Sequence, residues 1–229
     1  MTVPRRTTAE TGAAAGRGGD DAAAAEPLTL PTPHGPARAH LHLAPDARAA
    51  LVLGHGAGGG VAAPDLVAVT RAVVADGVTV ALVEQPYRVA GRRSAAPARQ
   101  LDAAWEAVVA QLRDGPLAGL PLVTGGRSSG ARVACRTARA TGAVGVLCLA
   151  FPLQPPARAN GTLPPDRLAE LSGAGVPVLV VQGERDRFGI PPRGRGRTLA
   201  LVSGDHALRG DRAAIVAAVR RWLRRLLRP

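Results

Sequence analysis

Short apolar runs alternate with longer segments of helical periodicity along most of the chain. The apolar runs predict strands over residues 37–43, 49–53, 78–83, 121–124, 144–149, 176–181 and 198–202. Apolar positions at helical spacing predict helices over residues 64–76, 97–113, 131–138, 164–171 and 211–227. The first strand alternates small and larger side chains, which is typical of an edge strand. This rhythm predicts an α/β fold in which helices cover a parallel sheet.

The first 26 residues differ in composition and patterning from the rest of the chain. They are Thr, Ala, Gly and charged residues without periodicity, and they offer little apolar surface to offset the entropy cost of ordering. We predict a disordered N-terminal tail over residues 1–26 and a single domain over residues 27–229. A chain of 229 residues is long enough for one α/β domain with a substantial core.

Composition bears on the core and on the location of the protein. Apolar residues make up 46% of the chain but aromatic residues only 2%, so the core must rest on small and branched side chains. No apolar run approaches the ~20 residues that span a bilayer, so we expect no membrane span. Arg5 and Arg6 are not followed by an apolar segment, which argues against a secretory signal peptide and favours a cytoplasmic location.

Cys135 and Cys148 are expected to be buried and reduced, with a regulatory disulfide as the alternative.

The strongly basic charge raises the question of an anionic partner. The formal net charge is +12, and all 29 basic residues are Arg. These arginines are spread over the whole chain, and no recognition motif with interleaved aromatic residues is present, so we expect no specific nucleic-acid partner. The last predicted helix places Trp222 and three leucines among arginines. We favour a terminal helix that docks on the sheet over the alternative of a basic helix at a membrane surface.

The most informative motif is Gly126-Arg127-Ser128-Ser129-Gly130, which follows a predicted strand and precedes a predicted helix. A nucleophilic serine in the G-x-S-x-G pattern sits on a strained strand-to-helix turn, and glycines at the ±2 positions allow strand and helix to approach closely. Ser128 has these glycines and Ser129 does not. A phosphate-binding loop of the Walker type is excluded because the chain contains no lysine. The motif therefore predicts that Ser128 is a nucleophile.

A serine nucleophile needs a base, and the base needs an acid that holds its tautomer. In G-x-S-x-G hydrolases the acid and then the histidine follow the serine along the chain, and His206 is the only histidine after Ser128. Glu184 and Asp186 both follow the strand predicted over residues 176–181. We predict that Asp186 is the acid, because it lies further out on the loop. Glu184 is the fallback, and Asp205 is too close in sequence to orient its neighbour.

The loop after the second predicted strand supplies small residues for an oxyanion hole. We predict that the backbone N–H groups of Ala57 and Ser129 are the donors, with Gly58 as a further candidate. His55 and Gly56 belong to the same loop, and we expect His55 to tether it rather than to act as a base or ligand. No histidine or cysteine stands at metal-ligand spacing, so a metal site is not expected.

Together these motifs resemble the small, lidless α/β-hydrolases related to dienelactone hydrolase, in the group that includes a testis-expressed hydrolase-like protein and the hydrolase-like subunit of a chromatin acetyltransferase complex. The resemblance covers roughly residues 48 to 225 and rests on Leu53-Gly54-His55-Gly56-Ala57-Gly58-Gly59, Gly125-Gly126-Arg127-Ser128-Ser129-Gly130-Ala131-Arg132, Phe151-Pro152-Leu153, Gln182-Gly183-Glu184-Arg185-Asp186 and Gly204-Asp205-His206.

The resemblance implies an eight-stranded, mostly parallel sheet with helices on both faces, no large lid, and a triad of Ser128, Asp186 and His206. Two positions depart from the family. Dienelactone hydrolase itself uses a cysteine where this chain has Ser128, so its substrate is not transferred. The family often has a second glycine where this chain has Ala131, a small change that leaves the turn plausible.

Three hypotheses of function follow from the sequence. The first is a serine hydrolase that cleaves an ester, thioester or similar acyl bond of a small molecule through an acyl-enzyme and needs no cofactor. The second is a catalytically silent scaffold that has the hydrolase fold and binds protein partners. The third is an arginine-rich nucleic-acid binder, for which binding would be steeply salt-dependent. The intact set of Ser128, Asp186 and His206 favours the first, and neither the acyl group nor the oligomeric state follows from these residues.

Overall fold

The computed structural model describes residues 26–228. Its eight strands are β1 (Leu28–Leu30), β2 (Ala37–His42), β3 (Ala49–Gly54), β4 (Val78–Glu84), β5 (Leu122–Arg127), β6 (Gly145–Leu149), β7 (Val178–Gly183) and β8 (Arg197–Val202). Its six helices are α1 (Pro64–Val74), α2 (Pro86–Val89), α3 (Ala98–Asp114), α4 (Ser129–Thr137), α5 (Leu168–Ser172) and α6 (Arg212–Leu226).

All eight strands form one sheet in the order β1-β2-β4-β3-β5-β6-β7-β8. Strands β3 to β8 are parallel to one another, whereas β1 and β2 are antiparallel to their neighbours. Helices α1 and α6 cover one face, and α3, α4 and α5 cover the other. The predicted α/β architecture with an eight-stranded, mostly parallel sheet is therefore confirmed.

Two interior strands of the sheet, β3 and β7, are buried on both faces. Every residue of β3 and β7 is buried, as expected where helices cover a parallel sheet. Trp105 on α3 is fully buried and is one of the few large side chains in a core made mostly of Ala, Val and Leu. On the opposite face, Trp222 of α6 packs into the same cluster as the leucines of β3. The core thus rests on small and branched residues, as the composition predicts.

Two predicted elements differ from the structure. The first predicted strand is not at the edge, because β1 pairs with it on its outer side and leaves β1 and β8 as the edges. The three residues of β1 are too few to show an alternating pattern in the sequence. The helix predicted over residues 164–171 begins only at Leu168. Pro164 and Pro165 precede that helix without joining it, and the Asp166 side chain accepts a hydrogen bond from the Leu168 N–H at 3.0 Å.

The segment between β6 and α5 contains no helix or strand. The fold therefore has no large lid, as the family resemblance implies. Cys135 on α4 and Cys148 on β6 are buried free thiols whose sulfur atoms lie 3.5 Å apart. Burial, together with the neighbouring Cys135, raises the pKa of the Cys148 thiol well above its ordinary value. Both cysteines are thus buried, as predicted, and the structure holds them as free thiols.

The predicted tail lies outside the described residues except for Glu26, so the tail and the cytoplasmic location stay predictions. Within residues 26–228, the structure contains no helix with the length and apolar character needed to cross a bilayer.

Candidate active site

Ser128 lies at the sharp turn between β5 and α4, at the carboxyl edge of the parallel strands. Its backbone has φ 52° and ψ −106°, and a non-glycine residue in such a conformation is strained by about 1–3 kcal/mol. The Ser128 N–H donates a hydrogen bond of 2.9 Å to the Leu149 carbonyl oxygen at the end of β6. The neighbouring strand therefore helps to hold the turn, which projects the Ser128 hydroxyl beyond the sheet.

The glycines on both sides of Ser128 are required by close backbone packing. A Cβ on Gly126 or on Gly130 would collide with the carbonyl oxygen of Gly54, the last residue of β3. A Cβ on Gly54 would in turn lie 3.2 Å from the ring of Trp105. The end of β3 and the start of α4 therefore approach each other as closely as backbone atoms permit, and a larger residue would displace the turn.

His206 lies in the loop after β8 and points its ring at Ser128. Its Nε2 is 3.0 Å from the Ser128 Oγ, and its Nδ1 is 2.8 Å from Oδ2 of Asp186. Because an ionised carboxylate only accepts hydrogen bonds, Nδ1 donates to Asp186, and Nε2 of the neutral ring is left to accept from the hydroxyl. The Asp186 side chain is fully buried, whereas 18% of the His206 side chain is exposed. The three side chains thus form a continuous hydrogen-bonded chain.

Two further residues orient the carboxylate and the ring. The buried Gln182 on β7 donates from Nε2 to Asp186 Oδ2 at 2.8 Å and to the Phe151 carbonyl oxygen at 3.0 Å. The Phe188 N–H donates to Asp186 Oδ1 at 2.9 Å. The Phe188 ring also meets the His206 imidazole edge-to-face, with ring centroids 4.5 Å apart. Asp186 therefore has donors on both oxygens, and its geometry relative to the imidazole is defined.

His55 tethers the loop that follows β3. Its Nδ1 lies 2.8 Å from the Gly56 carbonyl oxygen, and its Nε2 accepts from the Gln85 N–H at 3.1 Å. These contacts require a neutral ring with its proton on Nδ1. Burial lowers the pKa of His55 below its ordinary value, which favours that neutral form. The Tyr87 hydroxyl adds a second tether by donating to the Ala57 carbonyl oxygen at 2.9 Å.

The N–H groups of Ala57 and Ser129 are free to bind a ligand oxygen. Within the described part of the chain, neither group has a backbone hydrogen-bond acceptor. Ser129 is the first residue of α4, where unsatisfied N–H groups and the helix dipole favour a negative charge. A Cβ on Gly58 would meet no atom within 4 Å, whereas one on Gly56 would lie 3.2 Å from Nη1 of Arg127. The packing of the protein therefore restricts residue size at position 56 and not at 58.

Arg127 forms an ion pair with the buried Asp65, and 18% of the arginine side chain is exposed. Its Nε donates to Asp65 Oδ2 at 3.0 Å, and its Nη2 donates to the His206 carbonyl oxygen at 3.0 Å. Asp65 lies in the first turn of α1 and is only 1% exposed. Burial raises the pKa of the Asp65 carboxyl, while the charge of Arg127 opposes that shift. The guanidinium thus links the nucleophile turn to α1 and to the His206 loop.

No three His, Cys, Asp or Glu side chains are grouped as metal ligands anywhere in residues 26–228. The site contains a hydroxyl, an imidazole whose Nε2 faces that hydroxyl, a buried carboxylate and two backbone N–H groups that have no backbone acceptor among the described residues. Such a set can remove the proton from a serine as it attacks a carbonyl carbon and can stabilise the oxyanion that forms.

Residues 47–212 match the sequence model of a family described as the alpha/beta hydrolase domain. This chain belongs to the α/β-hydrolase family. The match includes the nucleophile turn, the Asp186 loop and the His206 loop, so the hydrolase domain contains every side chain described above. No curated protein matches the sequence significantly.

Several solved structures share the fold of this chain. Est1E from Butyrivibrio proteoclasticus superposes with a TM-score of 0.71 at 13% identity, covering 89% of this chain and 99% of that one. XC6422 from Xanthomonas campestris, an α/β serine hydrolase without a lid, gives 0.65 at 22% identity and covers 86% and 95%. Dienelactone hydrolase from Anabaena variabilis gives 0.67 at 15% identity and covers 88% and 97%. The three likenesses therefore show the same fold as this hydrolase.

The sequence identified only part of this hydrolase's site. It placed Ser128, Asp186 and His206 in one site, and the structure brings their side chains together. Glu184, the fallback acid, is exposed and lies outside the hydrogen-bonded chain. The sequence analysis missed Gln182 and the Arg127–Asp65 pair. Arg127 and Gln182 stand in motifs that the sequence itself singles out, but no local pattern shows that Arg127 pairs with Asp65 or that Gln182 contacts Asp186.

Proposed function

We propose that this α/β hydrolase cleaves carboxylic esters, thioesters or similar acyl compounds with Ser128 as nucleophile, His206 as general base and Asp186 as the acid that orients it. The observation that supports this most strongly is the pair of contacts at His206, 3.0 Å to Ser128 Oγ and 2.8 Å to Asp186 Oδ2. Both distances lie in the range that proton transfer requires. The buried carboxylate also favours the imidazolium that forms when His206 takes the proton.

The reaction begins when Ser128 Oγ attacks the carbonyl carbon and its proton passes to Nε2 of His206. The bond to the leaving group then breaks, and the same proton moves from Nε2 to the departing alcohol or thiol. A water molecule attacks the acyl-enzyme in turn, again losing a proton to His206. The acid is released, and Ser128 recovers its hydrogen. These steps consume one water per bond and require no metal or organic cofactor.

We assign the oxyanion hole to the backbone N–H groups of Ala57 and Ser129. Both N–H groups have no backbone acceptor among the described residues, and Ser129 adds the positive end of α4. The tethers from His55 and Tyr87 support this assignment, because they hold the loop that carries Ala57 against residues 85–87. A preorganised donor needs no rearrangement when the oxyanion forms.

The segment between β6 and α5 lacks regular structure and leaves the site without a large cover. An open site of this kind favours small acyl groups over long lipid chains, since it cannot bury an extended chain. We therefore propose small carboxylic esters as the substrate class. p-Nitrophenyl acetate, butyrate and octanoate form a graded series that tests this, with kcat/KM expected to be highest for the shorter two.

A fluorophosphonate probe tests the nucleophile directly, because it reacts with activated serines and leaves a stable adduct. We expect one adduct, located on Ser128 by mass spectrometry and absent from Ser128→Ala. In His206→Ala, labelling and turnover should fall by on the order of 10⁴-fold or more. Ser172→Ala is the matched control, since Ser172 is an exposed residue at the end of α5, and it should label like the wild type.

The alternative of a silent scaffold makes the opposite prediction. A folded wild-type protein that neither labels nor hydrolyses any ester in the series would contradict the proposed hydrolase function and favour the scaffold. Folding is checked in the same samples by circular dichroism, so that an inactive preparation is not mistaken for an inactive enzyme.

A further inference from the structure

We propose that Arg127 is a positioning residue, whose guanidinium, anchored on Asp65, holds the His206 loop in register with the nucleophile turn. The inference rests on the proposed function, because it concerns the alignment of His206 with Ser128. It adds to the triad an ion pair that the motif itself does not specify, since the position before the serine varies freely in the G-x-S-x-G pattern.

The guanidinium makes its two contacts through different nitrogen atoms. Nε donates to the Asp65 carboxylate and Nη2 donates to the His206 backbone carbonyl, each at 3.0 Å. Arg127 directly precedes Ser128, and the second contact reaches the backbone of the proposed base itself. The link from residue 127 to residue 206 therefore lies beside the 3.0 Å contact between Ser128 Oγ and His206 Nε2. Movement of the His206 loop would break both contacts together.

The His206 loop is attached on its other side to the loop that carries Asp186. The Arg185 N–H donates to the Gly204 carbonyl oxygen at 2.9 Å, and Gly183 packs against the backbone of Asp205 so closely that a Cβ would collide. On the opposite side, the contact from Arg127 Nη2 joins the His206 carbonyl to the turn that carries Ser128. The two attachments thus fix the base between the acid and the nucleophile.

The anchor of this contact is rigid because Asp65 is buried. Asp65 is 1% exposed, and its other oxygen, Oδ1, accepts from the Leu66 N–H at 3.0 Å. Desolvation makes a buried ion pair a weak source of stability, and apolar replacement of both partners is often neutral. A pair that contributes little to stability but connects two elements of the site is suited to positioning. This property also allows positioning to be separated from folding.

The test compares two double variants with the wild type, using p-nitrophenyl acetate as the substrate. Arg127→Met with Asp65→Leu removes both charges and the contact to His206. The apolar side chains of Met and Leu still fill the space that Arg and Asp occupied. Arg220→Met with Asp76→Leu is the matched control, since that pair joins α6 to the segment after α1 at 2.6 Å, away from the site. We expect the first double variant to unfold at nearly the wild-type urea concentration but to lose about 100-fold in kcat with KM little changed. The control should retain both the urea midpoint and the kcat of the wild type.

Arg127→Lys is a third arm that keeps the positive charge. The single ammonium nitrogen of lysine can pair with Asp65. It lacks the second nitrogen of the guanidinium, so it cannot also hold the His206 carbonyl. We expect Arg127→Lys to lose kcat as well, in a folded protein. A folded double variant with wild-type kcat would overturn the positioning role and leave the proposed function intact. A wild type without Ser128-dependent turnover would instead overturn the proposed function, and this inference with it.

Discussion

At the scale of single residues, the nucleophile turn combines a strained backbone with a backbone approach that excludes side chains. Ser128 takes a positive φ of 52°, and this strain persists because the surrounding strands hold it. Gly130 lies directly against the backbone of Gly54 and His55. The position of the hydroxyl is thus set by contacts between β3, β5 and the first turn of α4.

Gly130→Ala tests this dependence on close approach. Its Cβ would collide with the Gly54 backbone, so either the turn or β3 must move. We expect a loss of about 1–3 kcal/mol in the free energy of unfolding, with kcat lowered by about 100-fold because the hydroxyl is displaced. Urea denaturation and p-nitrophenyl acetate hydrolysis measure the two effects.

Gly60→Ala is the control for that variant. A Cβ on Gly60 would meet no atom within 4 Å and its φ is not positive, so stability should change by no more than about 0.5 kcal/mol. Wild-type stability and turnover in Gly130→Ala would show that the backbone relaxes without cost and that the close approach is not required.

The site was predictable from the sequence where chemistry leaves few choices. Ser128 followed from the spacing of its glycines, and His206 followed because no other histidine comes later in the chain. The choice of Asp186 over Glu184 depended on loop length, and in the structure Asp186 carries the contact to His206. Arg127 and Asp65 are 62 residues apart, and no local pattern connects them. Their pairing depends on how α1 and β5 meet in the folded sheet.

At the scale of elements, long buried runs were easier to predict than short or proline-rich segments. Strand β3 was predictable because apolar residues dominate it, and helix α3 because its apolar residues recur at helical spacing. Strand β1 and helix α2 were missed, since elements of three and four residues do not complete a recognisable period. The predicted helix over residues 164–171 begins four residues before α5, because Pro164 and Pro165 precede the helix without joining it.

The last helix shows how packing decides between two interpretations of one amphipathic pattern. Trp222 is 7% and Leu223 is 4% exposed, so the apolar face of α6 docks on the sheet, as favoured from the sequence. Gly145 at the start of β6 leaves room for this face, because a Cβ there would lie 2.5 Å from Leu226 and 3.1 Å from Trp222. The arginines of α6 remain on its outer side, and Arg220 pairs with Asp76.

Trp222→Ala tests how much the docking of α6 contributes to the fold. Removal of a large buried aromatic side chain typically costs about 3–5 kcal/mol, and we expect a loss of this size in urea denaturation. Arg221→Ala, an exposed change on the adjacent residue, should alter stability by no more than about 0.5 kcal/mol. Equal stability of the two variants would indicate that α6 contributes little and that the sheet is stable without it.

At the scale of the whole molecule, the folded domain carries the entire charge imbalance. The first 25 residues contain three arginines and three acidic residues, so the formal net charge of +12 belongs to the rest of the chain. The acids of ion pairs such as Arg136–Asp102 and Arg132–Glu170 are already counted in this net charge, so +12 is the surplus of arginines over acids. The surplus arginines repel one another in the compact state, and such self-repulsion lowers stability.

Salt should therefore stabilise this protein. Raising NaCl from about 0.01 M to about 0.1 M shortens the Debye length from about 30 Å to about 10 Å. Repulsion between distant arginines is then screened more strongly than the short ion pairs, so the melting temperature should rise. Each kcal/mol gained corresponds to a rise of about 2–4 °C in a domain of this size. NaCl is preferred to sulfate, because sulfate also stabilises proteins by exclusion from their surface.

Arg221→Gln with Arg225→Gln provides the matched comparison. Both residues are exposed on α6 and have no carboxylate partner among the described residues, so the variant lowers the net charge without breaking an ion pair. Its melting temperature at low salt should exceed that of the wild type, and its rise with NaCl should be smaller. A wild-type melting temperature that falls as NaCl increases would mean that attraction within the ion pairs outweighs the repulsion among the surplus arginines.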